Sequence, residues 1–273
     1  MTQITIDGVR LEVLHIPAAA PHVTSASRPA PLVYLHEGLG SVAMWRNWPE
    51  QLCQATGRDG WVYSRRGYGQ SDAVPDVRGT GRLKPDYLHH EAWSVLPELL
   101  KALNVVNPVL VGHSDGGSIA LLNASRCRVA ACVVMAPHII VEDISIQSIT
   151  QAKQAFETGD LRQRLARFHA DVDGAFWQWN DVWLSDAFRS FDIRAECAHI
   201  TAPLLAIQGV DDPYGTMRQI DEIQLFSDKK GLKSPSNINS LLQKLDHCGH
   251  SPHRDQTALT TQLIADFLKN QVG

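Results

Sequence analysis

The sequence predicts an α/β protein: a mostly parallel sheet covered on both faces by helices, with one helical insertion. Three observations carry that expectation. Short apolar runs recur as LVYL (32–35), WVYS (61–64), VLVG (109–112), ACVVMA (131–136) and LLAIQG (204–209), without the polar alternation of a half-solvated sheet. Helical spacing fills most of the intervals between them. The rhythm then stops between about 139 and 200, where helical patches follow one another with no strand run. Strands that alternate with helices imply parallel pairing, because each crossover returns the chain to the same end of the sheet.

The elements follow in order. MTQITIDGVRLEVLHI alternates apolar and polar residues around Asp7-Gly8, the pattern of a hairpin. The Pro-, Ala- and Ser-rich stretch 17–31 reads as an exposed connection, since too little chain precedes it to fold alone. Ala92, Val95, Leu96, Leu99, Leu100 and Leu103 recur at helical spacing, with Pro97 set to kink or interrupt the helix. Ser118–Ala124 and the trio Leu259, Leu263 and Phe267 continue the pattern. Residues 1–138 and 200–273 are thus expected to form one core, with 139–199 a helical lid inserted between two strands. IQSITQAKQAF, LRQRLARF and the aromatic FWQWNDVW supply that lid.

Composition narrows the function. Of 273 residues 44% are hydrophobic, enough for a sizeable core, and the formal net charge of -4 with no basic block gives nucleic acid nothing to bind. No run of 18 apolar residues predicts a membrane span, and the N-terminus lacks the charged start and apolar core of a secretory signal. Cys53, Cys127, Cys132, Cys197 and Cys248 are an odd count with no C-x-x-C pair, which suits buried thiols in a cytoplasmic protein.

The chemistry points to residues 109–122, VLVGHSDGGSIALL. A turn needs one or two glycines, yet Gly112, Gly116 and Gly117 bracket the hydroxyl of Ser114. Gly-x-Ser-x-Gly between a strand and a helix makes a sharp elbow, with free N–H groups of the helix N-terminus beside the serine. A serine hydroxyl is a weak nucleophile without a base, so a histidine and an orienting carboxylate should lie further along. Asp211 and Asp212 follow the 204–209 run; His247, His250 and His253 follow another short apolar run. The order Ser, Asp, His is that of α/β hydrolases.

The whole chain resembles the α/β-hydrolase fold superfamily in its lidded form. YLHEGLGSVAMW resembles the family's oxyanion loop, SRRGYGQSD its Arg-Gly turn, GHSDGG its nucleophile elbow, GVDDP its acid loop and CGHSP its histidine loop, in family order over roughly 32–252. Two residues depart from the pattern: Glu37 replaces a glycine and Ser64 an aspartate. The resemblance implies Ser114 as nucleophile, His250 as base, and Asp212, three residues after the loop glycine, as acid in preference to Asp211. It implies oxyanion donors at the backbone N–H of Asp115 and Gly38, with Leu39 as the alternative. His36 is expected to brace the oxyanion loop, and His113 and the Asp115 side chain the elbow. Glu37 should turn its carboxylate away from a developing oxyanion and pair with a cation, Arg66 being the candidate.

The implied reaction is acyl transfer to Ser114 followed by water attack, with no metal, nucleotide or organic cofactor. A carboxylic ester of a small or medium acyl group is the expected substrate. Cleavage of ring-cleavage diketones, or a ligand receptor with a vestigial triad, stands as the alternative. His138, Leu39, Trp179 and Trp183 are the expected pocket residues, with Asn180 or Asp181 available to orient a polar function. His247 and His253 read as loop hydrogen-bonders. The expected partner is this small molecule alone, bound by a monomer or homodimer.

Overall fold

The computed structural model describes residues 1–18, 29–228 and 240–272. It opens on β1 (Thr2–Ile6) and β2 (Val9–Ile16), an antiparallel pair whose turn holds Asp7 and Gly8 at φ 49° and 79°. Two left-handed residues match the twist of the flanking strands, and Asp-Gly adopts them at little steric cost. Most of the connection read at 17–31 lies outside the described residues.

The chain continues through β3 (Leu32–Leu35), α1 (Trp48–Thr56), β4 (Gly60–Tyr63), α2 (Tyr87–His90) and α3 (Leu96–Ala102). Next come β5 (Val109–His113), α4 (Asp115–Ala124) and β6 (Ala131–Met135). Four helices then follow without an intervening strand: α5 (Asp143–Thr158), α6 (Leu161–Leu165), α7 (Val172–Trp183) and α8 (Arg194–Cys197). The core resumes with β7 (Leu204–Gly209), α9 (Arg218–Asp228), β8 (Ser240–Leu245), α10 (Pro252–Asp255) and α11 (Thr257–Val272). The strands form one sheet in the order β1-β2-β4-β3-β5-β6-β7-β8. Only β2 runs against the others: it pairs antiparallel with both β1 and β4, and every other pair is parallel.

Strands β3, β5, β6 and β7 are buried at every residue, as apolar runs without alternation require. Alternate side chains feed two apolar layers. Val33, Leu110, Val134 and Ala206 meet α3, α4 and the inserted helices on one face; Tyr34, Val111, Val133 and Ile207 meet α1 and α11 on the other. Pro97 falls at the second position of α3, and the five residues before that helix, Glu91–Val95, form a π-helical turn. Proline has no N–H to give and crowds the carbonyl four residues earlier, so the preceding turn widens.

The elbow between β5 and α4 explains the three glycines. Ser114 sits at φ 54°, ψ -119°, a strained backbone for any residue with a Cβ. A Cβ on Gly116 would lie 2.0 Å from the carbonyl oxygen of Leu35, and one on Gly112 would lie 2.2 Å from that of Gly116. Both obstacles are main chain and cannot swing away. Gly116→Ala is therefore expected to lower stability by on the order of 3 kcal/mol or more, or to prevent folding. Denaturant unfolding checks this, and a stability within about 1 kcal/mol of wild type would contradict the steric reading.

Candidate active site

Six chain segments reach the same edge, because the strands β3 to β8 are parallel and each loop leaves from a carboxyl end. Ser114 follows β5, Asp212 follows β7 and His250 follows β8. The Ser114 Oγ lies 2.9 Å from His250 Nε2, and His250 Nδ1 lies 2.8 and 2.9 Å from the two carboxylate oxygens of Asp212. Facing a carboxylate, Nδ1 carries the proton, so Nε2 is left to accept from the hydroxyl.

Asp212 is buried and well supplied with donors. Gln208 Nε2 donates to Oδ2 at 2.6 Å and the Tyr214 N–H to Oδ1 at 2.8 Å. Burial alone would raise its carboxyl, but the His250 hydrogen bond, its charge and the Tyr214 N–H outweigh burial and hold it below the usual range. Asp211 is exposed, and its N–H donates to Cys248 O at 2.9 Å.

The turn after β3 lies opposite. Gly40 N–H donates to Glu37 O at 3.0 Å, while the N–H groups of Gly38, Leu39 and Asp115 have no partner among the described residues. That turn is braced from below. His36 Nδ1–H donates to Glu37 O at 2.6 Å, and its Nε2 accepts the Arg65 N–H at 3.0 Å. Burial, reinforced by the Arg65 cation, pushes His36 well below its ordinary value, so the ring is neutral. From the inserted segment, His169 Nε2–H donates to Leu39 O at 3.0 Å while its Nδ1 accepts the Gly69 N–H.

A sequence model described as the alpha/beta hydrolase family matches residues 32–262. The chain belongs to that family. A curated relative, the sn-1-specific diacylglycerol lipase ABHD11 of zebrafish (Danio rerio), is 30% identical over 142 residues. That stretch is 52% of this chain but 40% of the relative, so the match spans less than half of the relative's length. Among solved structures, the enol-lactonase from Burkholderia xenovorans LB400 superimposes with a TM-score of 0.70 at 17% identity, covering 98% of this chain and 100% of that one. An esterase from Exiguobacterium antarcticum gives 0.70 at 20%, covering 98% and 99%. At these identities the structural likeness establishes the fold.

The hydrolase has a cavity of about 200 Å³ beside Ser114, lined among others by Leu39, His138, Ile149, Trp179, Trp183 and Tyr214. His138, Leu39, Trp179 and Trp183 were read from the sequence; Ile149, Tyr214 and Ser251 were not, since nothing in their local pattern separates them from ordinary loop and helix residues. Burial, followed by the nearby His250, pushes His138 down to about 3, so it faces the cavity neutral. Trp179 closes over the oxyanion-loop turn so tightly that a Cβ on Gly38 would lie 2.2 Å from its Nε1. Trp177 points the other way, its ring 3.9 Å from the Arg78 guanidinium. A groove of about 1030 Å³ between α1 and α11 opens at the far, amino ends of the strands, away from these groups.

Other expectations are corrected. Glu37 lines the cavity but has no hydrogen bond to Ser114, and its partner is Arg254 at 3.2 Å, with His113 Nδ1 at 3.4 Å; Arg66 is exposed. The tether comes from α10, a contact no spacing along the chain could reveal. His253 is no loop hydrogen-bonder, since its buried ring packs against Trp45, Trp48 and His113 and neither nitrogen has a partner among the described residues. Asn180 donates to Ile149 O and Asp181 pairs with Arg78 at 2.8 Å, and neither lines the cavity. Ser64, where a carboxylate was expected, donates to a carboxylate instead, that of Glu12 on β2 at 2.7 Å.

Asp212 and Glu37 are both held below the ordinary carboxyl range. A lowered folded value stabilises the fold above the unfolded titration, near pH 4, and that stability disappears as the pH falls through the folded value. The melting temperature should therefore drop between about pH 5 and pH 3, and less steeply in Asp212→Asn. Equal slopes in the two proteins would contradict this account of Asp212.

Proposed function

We propose that this hydrolase cleaves carboxylic esters of compact acyl groups through an acyl-Ser114 intermediate. The observation that carries the reading is the continuous chain from Ser114 Oγ through His250 to Asp212, at 2.9 and 2.8 Å, built on a strained elbow. His250 Nε2 takes the hydroxyl proton as Oγ attacks the carbonyl, and Asp212 keeps the proton on Nδ1 and stabilises the imidazolium. The oxyanion is received by the N–H of Asp115 together with that of Gly38 or Leu39, groups that have no other partner among the described residues. The imidazolium returns its proton to the leaving alcohol. A water then attacks the acyl-serine with His250 again as base, releasing the acid and free Ser114.

The helices α5 to α8 act in this reading as a lid, since Ile149, Trp179 and Trp183 from them line the cavity. At about 200 Å³ it is smaller than most pockets for drug-sized ligands and favours a short or cyclic acyl group. No Lys or Arg among the described residues lines it, which favours a neutral ester over an anionic diketone. The named relatives, an esterase and an enol-lactonase, act on the same bond class. Five free thiols accord with a cytoplasmic setting.

A panel of p-nitrophenyl esters of graded acyl length, with fluorophosphonate labelling, tests the reading. Ser114→Ala should lose labelling and turnover with the fold intact, and Asp212→Asn should lower kcat by roughly 10⁴ where Asp211→Asn changes it little. Wild-type turnover in Ser114→Ala, or the reverse ranking of the two aspartates, would refute the assignments.

Trp179→Ala should broaden acyl-length tolerance and raise KM for short esters while leaving the labelling rate nearly unchanged. Trp183 is a poorer probe, because its Nε1–H donates to Tyr87 Oη at 2.9 Å and to Asp115 at 3.2 Å. Long-chain esters hydrolysed by the wild type as readily as short ones would refute the compact pocket.

A further inference from the structure

Three loops must hold their parts of the reaction in register, and one side chain touches all three. Glu37 belongs to the turn after β3. Its Oε1 accepts from Arg254 Nη2 at 3.2 Å, and Arg254 stands on α10, four residues after His250. The same Nη2 donates to Met44 O at 2.9 Å, which fixes the guanidinium from a second side. Glu37 Oε2 lies 3.4 Å from Nδ1 of His113, the residue immediately before Ser114, and that nitrogen has no hydrogen-bond partner among the described residues.

His113 carries the tie onward. Its ring is buried, and Nε2–H donates to the main-chain carbonyl of His250 at 2.7 Å. The carbonyl is only an acceptor, so Nε2 carries a proton, and a tie from Nδ1 to the Glu37 carboxylate requires a proton on that nitrogen as well. His253 and Trp45 hold the other sides of the ring, with centroids 4.8 and 6.3 Å away. Burial would raise the Glu37 carboxyl, but His113 and Arg254 hold it well below the usual carboxylate range, so it is an anion in this setting.

We infer that Glu37 is a positioning residue: through His113 it sets the His250 main chain, and through Arg254 the start of α10, against the oxyanion-loop turn. This rests on the reading of Ser114, His250 and the Gly38–Leu39 turn given above. Glu37 itself touches no reacting atom. A base displaced by an ångström costs rate without costing substrate affinity, so the loss should fall on kcat.

The test compares Glu37→Ala, Glu37→Gln and Arg254→Met in the full chain. Alanine removes both ties and should lower kcat roughly 10- to 100-fold with KM within about twofold. In Glu37→Gln the carboxylate charge is gone and the ring needs no second proton, so the amide oxygen accepts from Arg254 while the amide N–H donates to the bare His113 Nδ1, which should recover most of that loss. Arg254 is partly exposed and its replacement should fold, losing a smaller part of kcat, about three- to tenfold. The low-field proton resonance of His250 Nδ1, assigned by its absence in Asp212→Asn, should shift or broaden in Glu37→Ala and return in Glu37→Gln. That signal needs no substrate, so it reports on the tie even if no ester is turned over, which would count against the ester reading alone. Unchanged kcat and resonance in Glu37→Ala, a loss confined to KM, or glutamine no better than alanine would each overturn the inference.

Discussion

The close approach of β5 to the start of α4 is the constraint on which the rest depends. With Cβ atoms at 112 and 116 the elbow would collide with main-chain oxygens at 2.2 and 2.0 Å, and the helix could not start where it does. Because it does, Ser114 is held at φ 54° with its hydroxyl toward the sheet's carboxyl edge, and its N–H donates to Met135 O at 2.9 Å. The strain is borne by the apolar layer that packs α4 from Ile119 to Leu122 on one face of the sheet. Parallel pairing then brings the loops after β7 and β8 to the same edge, so the serine's partners need no further arrangement than their strand ends.

Charge at that edge is ordered by burial. Asp212 has several donors and stays ionised, whereas Asp115, one residue from the nucleophile, is pushed up by burial against the pull of Arg65, Tyr87 and Trp183. Arg65 lies 3.6 Å from that carboxylate and donates to Glu37 O at 2.9 Å, linking elbow and oxyanion-loop turn beneath the cavity. Around these groups His36, His138 and His253 are all pushed down, by burial first, and stay neutral. The net effect is one imidazole facing the serine, with the His36, His138 and His253 rings neutral near it.

Residues of the inserted segment also hold the turn after β3. His169 grips Leu39 O and Gly69 N–H from α7's approach, Trp179 rests on Gly38, and Trp183 donates to Asp115. The turn that offers free N–H groups is therefore pressed between the core and the insertion, and movement of one would be felt by the other.

Periodicity and steric chemistry made much of this legible. Buried strands leave unbroken apolar runs, a proline interrupts α-helical hydrogen bonding, Asp-Gly turns a hairpin, and a serine between spaced glycines marks the elbow, because each is a local demand of the backbone. Glu37, Glu12, Arg254 and His253 were not legible, for their roles depend on partners far away in the chain: α10 for Glu37, the residue after β4 for Glu12, two tryptophans for His253. The cavity's extent was likewise set by how α5 and α7 bring Ile149, Trp179 and Trp183 to the residues at the strand ends, which no local pattern encodes. The sequence by itself determined the sheet, the elbow and the serine's candidate partners; only the tertiary structure decided which charges meet, because pairing over long separations follows from packing and burial and leaves no period in the chain.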